Sequence, residues 1–207
     1  CNHTLSPIEL IPVLSFIFLG AKCKECKTTI SLRYPLIETL TGVLFLISYK
    51  TFGLAMQLPI SFGLSLILIS ITMIDIDTFE IKDRFQILML VLAIINLFFT
   101  PLPVLDHFIG FFIISIPFYI IAIITDGIGG GDIKLIAIAG LLLGYKATIV
   151  SFFVSVISAS LFACYLLVIK KSNRKAQMAF GPFLCIGIYI AFHFAEPIIK
   201  TYINLLF

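Results

Sequence analysis

The sequence predicts an all-α fold: a polytopic integral membrane bundle of about seven transmembrane helices, preceded by a small cytoplasmic segment that carries cysteines. Three observations predict it. Of 207 residues, 60% are hydrophobic and only 12% charged, outside the usual range of water-soluble domains. The charges are gathered between long apolar runs, most of them close to the roughly 20 residues that a spanning helix needs. The lysines and arginines fall in alternate connections, as the positive-inside rule requires.

Taken in order, residues 1–35 are the one sizeable polar stretch and form a cytoplasmic segment, with a transmembrane domain over 36–207. The chain opens on Cys1 and shows no basic n-region followed by an apolar run and a small-residue cleavage site, so no secretory signal is visible. The expectation is a chain truncated at its front. Charge-free spans follow over Thr51–Ile74, Phe85–Leu105, His107–Thr125, Ala147–Ile169 and Ala176–Ala195. Two shorter apolar stretches, Leu36–Tyr49 and Leu135–Tyr145, complete the seven. Those two can cross only if their ends lie at the interface or inside the bundle. No internal repeat or low-complexity tract interrupts this pattern.

With seven spans, 11 of the 14 basic residues fall at one side: Lys22, Lys24, Lys27, Arg33, Lys82, Arg84, Lys134, Lys170, Lys171, Arg174 and Lys175. Only Lys50, Lys146 and Lys200 fall at the other. The richer side is cytoplasmic by the positive-inside rule. The net charge of +3 is therefore a topology signal. No nucleic-acid partner is expected, because no basic run is joined to an aromatic stacking platform.

Acidic residues at membrane depth are costly, about 2.5–3.5 kcal/mol each on insertion scales, and usually serve a purpose. In Met73-Ile74-Asp75-Ile76-Asp77-Thr78-Phe79-Glu80-Ile81-Lys82-Asp83 an apolar helix ends in carboxylates, with Asp75 the deepest. Residues two apart are rotated by about 200° on a helix, so Asp75 and Asp77 cannot share one inward seam. In Asp126-Gly127-Ile128-Gly129-Gly130-Gly131-Asp132-Ile133-Lys134 glycines break the apolar pattern and place Asp132 at the start of the next helix. Such backbone belongs in a protein-lined cavity, and the helix dipole favours the anion there.

Either cluster alone is equally well explained as a solvated helix terminus. Two carboxylates at one membrane face, one beside a glycine break, suit the sharing of a proton and the activation of water against a peptide carbonyl. Such a pair titrates as a unit.

Gly129-Gly130-Gly131-Asp132, with Lys134 two places on, resembles the Gly-x-Gly-Asp signature of membrane aspartyl peptidases of the prepilin branch. Asp75-x-Asp77 followed by Ile81 and Asp83 is similar to that branch's first motif, with Lys82 where proline is common. Ile11-Pro12-Val13-Leu14-Ser15, Cys23-x-x-Cys26, Ile30-Ser31-x-Arg33-Tyr34-Pro35-x-x-Glu38 and Phe180-Gly181-Pro182-Phe183 extend the resemblance to bacterial type IV prepilin leader peptidases over nearly the whole chain. The resemblance implies that Asp75 and Asp132 are the catalytic pair, with Gly129, Gly131, Asp77, Asp83 and Lys134 in support. It implies cleavage of the basic leader from prepilin or pseudopilin precursors at the cytoplasmic face, with the mature apolar segment left in the lipid. No cofactor is expected for proteolysis, whereas methylation of the new N-terminus, common in bacterial members, uses S-adenosylmethionine. The residues that would bind it, and the oligomeric state, are not legible.

In a reducing compartment Cys23-Lys24-Glu25-Cys26 reads first as half of a zinc site and second as a redox pair. Relatives carry two such pairs, which puts Cys1 at the second position of the first pair and makes Cys1, Cys23 and Cys26 the candidate ligands. His3 is a possible fourth. Cys164 and Cys185 lie in apolar helices, where cysteine is usually a small hydrophobe. Glu9, Glu38, Asp106, His107 and Glu196 read as solvated loop or interface residues, and the 21 phenylalanines as lipid-facing and packing groups. A transporter is the main rival class, but both carboxylates lie at one edge and no acid continues a path through mid-membrane. A non-catalytic assembly protein is the other.

Overall fold

The computed structural model describes residues 1, 4, 6–7, 9–125, 127, 129–168 and 178–206. His3, Asp126 and the basic run 170–175 lie outside the described residues, as does the start of the run expected at Ala176. Nine helices occur among the described residues and no strand, only a single bridge between Lys22 and Thr29. They are α1 Leu14–Phe18, α2 Arg33–Phe52, α3 Gln57–Thr78, α4 Asp83–Leu97, α5 Val104–Ile113, α6 Ser115–Thr125, α7 Gly130–Leu143, α8 Tyr145–Val168 and α9 Gly181–Leu206.

A helix thus stands at each of the seven expected segments, α5 and α6 sharing one. Among the described residues, four stretches are long and apolar enough to cross a membrane: Gln57–Thr78, Val104–Thr125, Tyr145–Val168 and Gly181–Leu205. The protein is an integral membrane protein on that composition. The count of seven spans is not reached by this measure: α4 and α7 have only 15 and 14 residues, and α2, though 20 residues long, is not among the four. At 1.5 Å per residue α7 is about 21 Å long, less than the roughly 30 Å of a hydrocarbon core. Its burial explains how so short a helix is held. Leu135, Ile136, Ala139 and Leu142 are essentially sealed from solvent, and α4, α5, α6, α8 and α9 all pack on it.

Several boundaries differ from the charge-free runs, because turn chemistry and not charge ends a helix. The run expected to begin at Thr51 starts at Gln57, since α2 continues to Phe52 and stops where Gly53 takes a positive φ of 60°. The run expected to reach Leu105 stops at Leu97, ahead of Pro101 and Pro103. The run His107–Thr125 is interrupted at Ile114, where Pro117 has no N–H to offer the Ile113 carbonyl.

Close helix approach at small residues holds the bundle together, as expected where lipid is no less apolar than the core. A β-carbon on Gly140 would collide with the Gly110 backbone, so α5 and α7 touch main chain to main chain. One on Gly187 of α9 would collide with Ser155 Oγ and the Ser151 carbonyl of α8. Ser151, Ser155 and Ala159 recur every four residues on the buried side of α8, a small-residue stripe that was present in the sequence.

Candidate active site

Asp75 lies in the last turn of α3 and is 4% exposed. The helix ends just beyond it at Phe79, a non-glycine residue in the left-handed region (φ 54°) whose N–H donates to the Asp75 carbonyl. Asp77, two residues on, points outward as its rotation requires, and pairs with Arg33 of α2 at 2.8 Å. Arg33 also donates to the Met73 carbonyl at 3.0 Å, so one guanidinium fastens the start of α2 to the end of α3.

Asp132 lies in the first turn of α7, where unpaired helical N–H groups favour an anion. The signature glycines differ in what they do. A β-carbon on Gly131 would sit 3.1 Å from Ile81 Cβ, and one on Gly129 3.3 Å from Asp132 Oδ2, whereas Gly130 has open space around it. Only the two outer glycines are sterically confined, which is why the middle position of a Gly-x-Gly-Asp run needs no glycine. Gln86 of α4 donates to the Gly131 carbonyl at 3.0 Å, and Lys134 pairs with Asp83 at 2.8 Å. These two bonds brace α4 against α7 beside Asp132.

Asp75 and Asp132 line one cavity of about 440 Å³, together with the connection Phe79–Asp83, Gly129–Gly131 and Lys134. Asp75 Oδ2 is buried and has no hydrogen-bond partner among the described residues. Two carboxyl groups that share one cavity suit a division of labour in which one holds a proton while the other accepts one from water. Lys82 has φ −70° and ψ 130°, within the range a proline imposes, so the connection adopts a proline-compatible bend without that residue.

A contribution the sequence did not signal comes from α9. Gly181, its first residue, packs on Asp75 so closely that a β-carbon would lie 2.5 Å from Oδ2, and its backbone amide faces that carboxylate. Pro182 follows in the first turn, where a missing N–H costs no helical bond. The Phe-Gly-Pro-Phe motif was visible; its meeting with Asp75 was not.

Away from the cavity, Cys1, Cys23 and Cys26 bring their thiols within 4.8 Å of one another, with Cys1 and Cys23 sulfurs 3.7 Å apart. In a tetrahedral zinc–thiolate site with Zn–S near 2.3 Å, sulfurs stand about 3.8 Å apart, and the Cys1–Cys23 spacing of 3.7 Å is compatible with that metal. Hydrogen bonds from the Thr28 side chain and backbone are the main cause that lowers the Cys26 thiol to about 7, further toward the thiolate a metal requires.

The structure differs from expectation or adds to it at three minor positions. His107 is fully buried, not solvated at an interface, and its Nδ1 meets the Leu141 carbonyl at 2.8 Å. Glu38 accepts the Val13 N–H and Glu9 the Ser6 N–H, both at 2.7 Å, so each also pins backbone, Glu38 while staying exposed. Sequence reading also missed a buried network in which His193 Nε2 meets Ser61 and Ser48 hydroxyls at 2.8 and 3.1 Å, joining α9, α3 and α2. Polar residues in otherwise apolar helices were its only available signal.

Residues 1–52 match the model of the bacterial peptidase A24 N-terminal domain, and residues 62–164 that of the type IV leader peptidase family. A prepilin leader peptidase/N-methyltransferase of Bacillus subtilis is 34% identical over 99% of this chain and 84% of its own length. The chain belongs to the type IV leader peptidase family. Proteins of the same description from Neisseria gonorrhoeae and Aeromonas salmonicida are 35% and 28% identical, over 93% and 99% of this chain and 68% and 72% of theirs. No solved structure matches. Membership of the leader peptidase family gives the aspartate cavity its context: an enzyme that cuts peptides, built from helices at membrane depth.

Proposed function

We propose that this protein cleaves the leader from type IV prepilin or pseudopilin precursors at the cytoplasmic face of the bacterial inner membrane, with Asp75 and Asp132 as its catalytic pair. The observation that carries this reading is the shared cavity of the two carboxylates in a chain of the leader peptidase family. The ionised aspartate takes a proton from a water between the pair, and the water oxygen attacks the scissile carbonyl carbon while the protonated partner donates to its oxygen. Collapse of the tetrahedral intermediate breaks the C–N bond, and the proton taken from water passes to the leaving amine. Gly129, Gly131, Asp83 and Lys134 hold Asp132 in place, and Asp77 holds the end of α3 through Arg33.

The matched relatives are also described as N-methyltransferases, and the same reading extends here to methylation of the freed N-terminus with an S-adenosylmethionine-type donor. Cys1, Cys23 and Cys26 would hold a structural zinc. Lys82, Arg84 and Lys134 lie at the aspartate end of the bundle and Lys50, Lys146 and Lys200 at the other, which supports the cytoplasmic placement of the site.

The test is cleavage of a membrane-embedded prepilin in detergent by the full-length protein and its Asp75→Asn and Asp132→Asn variants. Each variant is expected to fold and to lose about 10²–10⁴-fold or more in rate. Methyl transfer adds about 14 Da to the product. Substantial cleavage by verified Asp132→Asn protein would overturn the assignment.

A further inference from the structure

An apolar groove leads into the aspartate cavity from the lipid-facing side. α4 and the α5–α6 pair each pack on α7 and leave between them a cleft of about 670 Å³. Ile87 and Leu90 form one wall, Phe112 and Ile116 the other, and Ala137 and Ile138 the floor. Ile87, Phe112 and Ile116 are about half exposed, so the cleft is open sideways to the bilayer. Asp83 and Lys134, the ion pair that braces α7, line both the cleft and the aspartate cavity, and the two spaces meet there. Measured along α4 from Asp83 to Leu90, or along α5–α6 from Tyr119 to Phe111, the cleft extends about 10–12 Å, roughly eight residues of helix.

We propose that this groove seats the first two turns of the apolar helix that follows the scissile bond in the precursor. The proposal rests on the function given above and adds where the membrane-embedded part of the substrate binds. An apolar helix gains little hydrophobic energy by leaving lipid for protein, so its seating depends on shape and on a polar contact at one end. The groove supplies both, since at Asp83 and Lys134 it meets the aspartate cavity. In that cavity Glu80 and Asp83 are paired with Lys82 and Lys134, which leaves the single negative charge of the Asp75 and Asp132 pair unbalanced. Such a surface favours a basic leader and disfavours an anionic lipid headgroup. A precursor helix that enters sideways thus has its extended, basic N-terminal end directed across Asp132 and Asp75.

The experiment uses the full-length enzyme with Ile87→Trp or Ile116→Trp, both at positions exposed enough to accept the larger ring, and Leu161→Trp on the exposed side of α8 as control. Two substrates are compared: the complete precursor in detergent, and a short peptide that carries the leader and cleavage site but ends before the apolar helix. Filling the groove is expected to slow cleavage of the precursor about tenfold or more and to leave the peptide within about twofold, with Leu161→Trp affecting neither. Loss of both activities together, or of neither, overturns the groove. Wild-type enzyme that cuts neither substrate overturns the peptidase assignment itself, and the groove with it.

A second measurement does not depend on rate. In Asp132→Asn protein, cysteines at Ile87 or Tyr119 should form a disulfide with a cysteine in the first two turns of the precursor's apolar helix, and one at Leu161 should not. Equal capture at Leu161, or labelling of the groove by a photoreactive phospholipid with no capture of precursor, would show lipid in that space and remove the proposal.

Discussion

Gly181 lies against Asp75 with no room for a side chain, since a β-carbon would stand 2.5 Å from Oδ2 and 3.0 Å from Cγ. Real β-carbons do not approach that closely, so alanine at this position must displace the carboxylate or the start of α9. A shift near 1 Å in a catalytic group costs about 10²-fold in rate. Gly181→Ala is expected to lose about that much prepilin cleavage. Gly131→Ala, whose β-carbon would stand 3.1 Å from Ile81, should lose less, and Gly130→Ala, in open space, almost nothing. Initial rates on one precursor, in that order, check the series; a damaging Gly130→Ala would contradict the packing.

The contact between Gly110 and Gly140 predicts a defect of a different kind. It lies toward the end of the bundle away from the aspartates and joins α5 to α7 backbone to backbone. Gly140→Ala forces α7 outward, and overpacking of this sort costs about 1–3 kcal/mol. Thermal unfolding in detergent should show a lower midpoint, with the rate per folded molecule preserved far better than in Gly181→Ala.

The Arg33–Asp77 pair is about half exposed, 40% and 52% at the two side chains, so its worth is limited by water and salt. A double-mutant cycle should give a coupling of about 0.2–1 kcal/mol. Arg33→Ala should be the costlier single change, because it also removes the donor to the Met73 carbonyl. Equal losses from Arg33→Ala and Asp77→Ala would show that the bond to Met73 adds nothing.

The cysteine cluster predicts metal content. Full-length protein prepared without chelator should carry about one zinc, and Cys23→Ser or Cys26→Ser should abolish it, as elemental analysis will show. These changes should reduce methyl transfer more than cleavage if the cysteine segment serves the second activity. Equal loss of both would assign the segment to the fold alone.

The amino-acid sequence by itself determined the solvent, the approximate helices and the two acidic clusters, because each is a local property. Charge-free length marks α3 and α8, and proline or glycine punctuation ends α2 and α4 whatever packs around them. The separation of Asp75 from Asp77 also followed from helical rotation alone, and the structure turns one to the cavity and the other to Arg33. The tertiary structure decided what meets what. Gly181 reaching Asp75, Gln86 reaching the Gly131 carbonyl and His193 reaching Ser48 and Ser61 all join helices far apart in the chain. In water the polar face of a helix announces which side turns outward; helices apolar on every side carry almost no such signal, because lipid and protein interior are alike to a leucine. Packing of small residues and placement of a few polar groups had to choose the faces, and that choice exists only once the helices are assembled.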